Sequence, residues 1–140
     1  MKQGVQSFYL SLGNEACYFL DLLEIAERET GIHFDPLSIA WICSQKGYLY
    51  INWKDLKDTE NFKVENPCEI LKLLTGITWS ITRVDNPIYK PKAGDYVIAA
   101  YKNGNFTHFV LQSFSFDSLQ NSLTVKNGKI NSYRVFRKMV

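Results

Sequence analysis

The stretch from Asn14 to Thr30 constrains this chain more than any other. Gly13-Asn14 supplies a turn and a helix cap, and Gly31 supplies a stop. Between them, Ala16, Phe19, Leu20, Leu23 and Ala26 fall on one helical face, and Tyr18, Leu22 and Ile25 fill much of the remainder. Polar residues are confined to Asp21, Glu24 and the run Glu27 to Glu29, a narrow wet side on which Glu24 and Arg28 form an i,i+4 pair. A helix apolar over most of its girth has to be buried on most sides. The rest of the chain must therefore wrap it.

There is enough chain to do so. At 140 residues the expectation is a single domain over 1–140 that folds without a disulfide or metal. Cys17, Cys43 and Cys68 make an odd set with no CxxC spacing, so a disulfide framework and a zinc site are not expected, nor is any cofactor. With 16 Lys+Arg against 14 Asp+Glu, the net charge of +2 is too small to indicate nucleic acid. No apolar run is long enough for a membrane span and the first residues do not read as an export signal. Reduced thiols and a cytoplasmic location are the expectation, with no membrane partner.

After the first helix, Pro36 to Gln45 reads as a second, capped by Asp35 with Pro36 in its first turn. Tyr48 to Trp53 alternates as a short strand or extended loop, and Asp55 to Asn61 reads as a loop. Pro67 to Leu74 has helical spacing, with Asn66 as cap and Gly76 as stop. From Ile77 the period changes to two. Thr78 to Val84, Tyr96 to Tyr101 and Phe106 to Ser115 read as strands, the last two joined through Asn103-Gly104. Leu123 to Lys126 and Ile130 to Phe136 read as a further hairpin. Helices first and an antiparallel sheet second make an α+β chain, a central buried helix packed on a C-terminal sheet.

Two side chains carry the chemistry such a layout can support. Cys17 falls in the first turn of the buried helix, where unpaired amides and the positive end of the dipole favour a thiolate. The competing reading is that Cys17 is core, like Cys43 and Cys68. His108 heads a strand after the Asn-Gly turn, and with His33 it is one of only two histidines. A cysteine at the head of a helix and a histidine at the head of a strand make the Cys–His arrangement of nucleophilic catalysis. Asp117, Asn121 and Asn127 are the downstream candidates to orient the imidazole. The backbone amide of Cys17, with Asn14 or Gln6, is the candidate oxyanion donor. The three cations in Arg134 to Lys138 read as a solvated strand end.

The segment Gly13 to Leu20, with its Cys-Tyr-Phe-Leu run, resembles the nucleophile helix of papain-like cysteine peptidases, and most closely their small bacterial branch, the double-glycine leader peptidases. Gly94 to Ile98 followed by Thr107-His108-Phe109-Val110 resembles the same superfamily. Those motifs, with Val64 to Pro67, Phe116-Asp117-Ser118 and Ser132 to Phe136, also resemble a family of small phage and spirochaete proteins. The resemblance implies a papain-like fold with Cys17 as nucleophile, His108 as base and Asp117 as orienting acid. It implies a cysteine peptidase or amidase working through a thioester on a peptide or protein substrate. The alternative is an inactive papain-like protein, phage-encoded, that binds and inhibits a host protein.

Overall fold

The structure, a computed structural model, describes residues 14–52, 62–85, 89–103, 106–112 and 129–139. Helix α1 (Asn14–Thr30) lies at its centre. Ala16, Cys17, Phe19, Leu22, Ile25 and Ala26 are fully buried, and so, against expectation, is Asp21. Helix α2 (Pro36–Gln45) starts where Asp35 accepts from the Ser38 amide at 3.0 Å and its hydroxyl at 2.6 Å. Helix α3 (Pro67–Thr75) starts on Asn66, which accepts from the Glu69 amide at 3.3 Å. It ends at Gly76, whose φ of 73° is the left-handed conformation that stops a helix.

Strands β1 (Leu49–Ile51) and β2 (Phe62–Val64) form a small antiparallel pair. The sequence shows no signal for β2, because three residues are too few to display a period. Strands β3 (Trp79–Val84), β4 (Tyr96–Asn103), β5 (Phe106–Gln112) and β6 (Lys129–Lys138) form an antiparallel sheet in the order β3-β6-β4-β5. Pairing of β4 with β5 runs out to Asn103↔Phe106, as a two-residue hairpin requires. The expected strand at Leu123 to Lys126 lies outside the described residues.

Alternation gives the sheet two faces. Trp79, Ile98, Ala100, Phe109, Leu111 and Phe136 pack in one cluster with α1, α2 and α3. Val97, Ala99, Tyr133 and Val135 form a separate cluster on the reverse face, with Val84, Tyr89, Tyr101 and Ile130 packed around it. The larger cluster carries most of the apolar burial. At ~1.5–3 kcal/mol per fully buried large side chain, α1 alone accounts for much of the driving force.

Three polar clamps fix the sheet and helix. Glu15 Oε1 accepts from the Val64 amide at 3.0 Å, tying the first turn of α1 to β2. Glu29 at the other end accepts from Tyr96 Oη at 2.8 Å and Lys138 Nζ at 2.7 Å. Asp95, its carboxylate buried, accepts from Arg137 at 2.7 and 2.9 Å, from Tyr89 Oη at 3.2 Å and from the Lys92 amide at 3.0 Å. The Arg137 guanidinium, before the other hydrogen bonds, holds the Asp95 carboxyl below the usual carboxylate range. Asp95→Asn is expected to destabilise the fold by about 2 kcal/mol at neutral pH, the scale of hydrogen bonds to a charged group. A depressed folded-state pKa means this stabilisation is present above the unfolded carboxyl pKa and disappears as pH falls through the folded one. Urea unfolding of wild type and variant should therefore converge in acid; a gap independent of pH would contradict the assignment.

Candidate functional site

The structure brings α1 and β5 together, and the contact is made one residue along from the expected pair. Tyr18 stacks on Phe109 with ring centroids 4.8 Å apart. Phe109 and Leu111 face α1 together with Ala100 and Ile98, their partners across the β4–β5 register. His108 pairs with Tyr101, which packs on the reverse-face cluster. By alternation, His108 thus occupies the side of the sheet away from α1, and Cys17 lies on the α1 side. Hydrogen-bond reach of ~3 Å does not span a sheet. The register thus places His108 on the reverse face of β5, while Cys17 belongs to the cluster on the α1 side. Both are nonetheless buried side chains in the elements where the sequence placed them.

The environment of Cys17 opposes a thiolate. Burial first, and the Asp21 carboxyl second, push its thiol well above the ordinary range. Asp21 follows Cys17 by one helical turn, so the two face the same side of α1. A helix N-terminus contributes at most a modest charge stabilisation, and full desolvation outweighs it. Burial also raises Cys43, to about 11, and Cys68. Asp117 and Gln6 lie outside the described residues, as does the side chain of Asn14, which opens α1. Among the described residues no cluster of His, Cys, Asp and Glu fits a metal ion. No helix there is long and apolar enough to cross a membrane.

Sequence reasoning missed Asp21, which it put on the wet side of the helix. Strand β5 is the edge of the sheet, so its amides that face away from β4 need another acceptor. The Leu111 amide finds one in the Asp21 carboxyl. Oδ2 of Asp21 has no hydrogen-bond partner among the described residues. Burial dominates and raises the carboxyl well above its usual range. An orphaned, desolvated oxygen favours the protonated acid. The only signal available in sequence was a carboxylate one turn from a buried cysteine.

Alkylation with iodoacetamide, read by mass spectrometry, should modify Cys68, the one thiol that is only partly buried, ahead of Cys17 and Cys43. His108→Ala should leave the pH profile of Cys17 unchanged; a low apparent pKa lost in that variant would restore the Cys–His pair. Asp21 makes the opposite prediction to Asp95. Its raised folded pKa means that stability falls as pH rises above the unfolded carboxyl value. Asp21→Asn should gain on wild type with increasing pH in chemical denaturation, and a constant difference would show that Asp21 does not retain its proton.

No curated protein and no solved structure matches the chain. A family model described as "Protein of unknown function, DUF261" matches residues 1–138, and the chain belongs to that family.

Proposed function

We propose that this protein is a papain-like domain without a working Cys–His pair that acts by binding a protein partner through helix α2. The observation that carries this reading is the outer face of that helix. Its sequence, Pro36–Gln45, contains no charged residue. Leu37 and Trp41 sit one turn apart and are 57% and 55% exposed, with Ile42 beside them at 40%. Isolated exposed apolar residues are ordinary, but Leu37 and Trp41 form an apolar stripe one turn long on an uncharged helix, with Ile42 about 100° further round it. Tryptophan is the side chain most enriched at binding hot spots.

The occupant that fits is a protein with an apolar groove, receiving the helix by its Leu37 and Trp41 anchors. The absence of charge on α2 argues against an acidic or basic partner surface. The resemblance to phage proteins points to a host factor, inhibited by contact. The competing reading, a thiol peptidase or amidase, rests on Cys17 and His108 and requires the imidazole on the α1 side of the sheet.

The test is a quantitative pull-down from host cells, with each captured partner purified and its affinity measured. Trp41→Ala should weaken the complex by ~2 kcal/mol or more, about thirtyfold, and Leu37→Asp should abolish it. Cys17→Ser should bind like wild type. Capture that survives both α2 substitutions would overturn the proposal. So would a covalent thioester adduct on Cys17, or self-association through α2 in sedimentation as the only complex formed.

A further inference from the structure

The end of β6 carries three cations, and two of them have carboxylates. Arg137 has Asp95 and Lys138 has Glu29. Arg134 differs. It is partly buried on the α1 face of the sheet, its guanidinium carbon 5.8 Å from the centroid of the Phe109 ring that Tyr18 stacks upon. Its Nη1 donates to Ser132 Oγ at 2.7 Å. Among the described residues no carboxylate lies within ion-pair distance of it. Directly opposite in the β3–β6 register is a second arginine, Arg83.

Like charges facing each other across an antiparallel pair are destabilising. A partly buried guanidinium with no carboxylate in ion-pair contact among the described residues adds to the cost. Burial, and then the charge of Arg83, hold Arg134 below the ordinary guanidinium range. The charges of Asp85 and Glu15 offset part of this, but neither makes an ion pair with Arg134. Glu15 has committed Oε1 to the Val64 amide. Asp85 is exposed and takes only Nε of Arg83, at 2.9 Å. A like-charge pair that no ion pair to Arg134 offsets among the described residues points to a ligand.

We propose that Arg83 and Arg134, side by side on the α1 face of the sheet next to Tyr18 and Ser132, bind an oxyanion, the chemistry shared by carboxylate and phosphate groups. Two adjacent guanidinium forks present paired N–H donors to such a group, and its charge relieves their repulsion. Tyr18, stacked on the Phe109 ring that Arg134 also meets, brings the N-terminal end of α1 beside the pair.

The test is a titration of the arginine Nε–Hε resonances with sodium phosphate and, separately, sodium acetate, at constant ionic strength set with chloride. Saturable shifts at Arg83 and Arg134 are expected with at least one of them. Phosphate alone would identify a phosphate ligand, acetate alone a carboxylate, and both the shared chemistry. Arg83→Gln, at an exposed position, should weaken binding about tenfold, the loss of one charge-assisted contact. Arg134→Lys should do the same while keeping the charge, since the fork is lost. Shifts that never saturate with either anion, or an affinity that Arg83→Gln leaves unchanged, would overturn the proposal. If Arg134→Lys unfolds, Arg83→Gln decides by itself.

Discussion

Everything in this structure depends on burying α1 on almost every side. A helix with Phe19, Leu22, Ile25 and Ala26 at zero exposure needs cover from several directions at once. The sheet supplies one side through Phe109, Leu111, Ile98 and Phe136, α3 another through Ile70 and Leu71, and Phe62 of β2 tilts against Phe19 at 5.7 Å. Because the sheet face against α1 is packed, its register is fixed: a slip of one residue would turn Phe109 and Leu111 outward and His108 inward. Burial of the helix thus decides which side of β5 carries the imidazole.

That dependence explains which parts of the fold were legible. The girth of α1, the Asp35-Pro36 and Asn66-Pro67 caps and the change to period two at Ile77 are local signals, and each appears in the structure where the residues put it. Strand β2 escaped notice because its cause is not local. It exists through pairing with β1 and the Glu15 clamp on its Val64 amide. The order β3-β6-β4-β5 was equally invisible, since nothing in a single strand names its neighbours.

The candidate site was legible as residue types and elements but not as geometry. Cys17 does begin a buried helix, and His108 does head a strand packed beside it. What the sequence could not display is the phase of that strand relative to the helix. Thr107-His108-Phe109-Val110 alternates between a histidine face and a phenylalanine face, and either could in principle meet α1. Phe109 wins because stacking on Tyr18 buries two aromatic rings against α1.

Asp21 and Arg134 are the two places where charge and burial conflict, and they are resolved differently. Asp21 faces an edge-strand amide, and a carboxylic acid can shed its charge by keeping a proton, so the conflict is settled inside the fold. A guanidinium has no such escape, because it stays protonated under all conditions in which the protein is folded. Arg134 needs negative charge near it; Glu15 and Asp85 supply some at a distance, and Asp85 is engaged by Arg83 at the solvent edge. Both residues lie on the α1 side of the sheet, yet only the second keeps its charge with no ion pair among the described residues. The asymmetry between an acid that can neutralise and a base that cannot makes the arginine pair the polar feature of this face that calls for a molecule from outside.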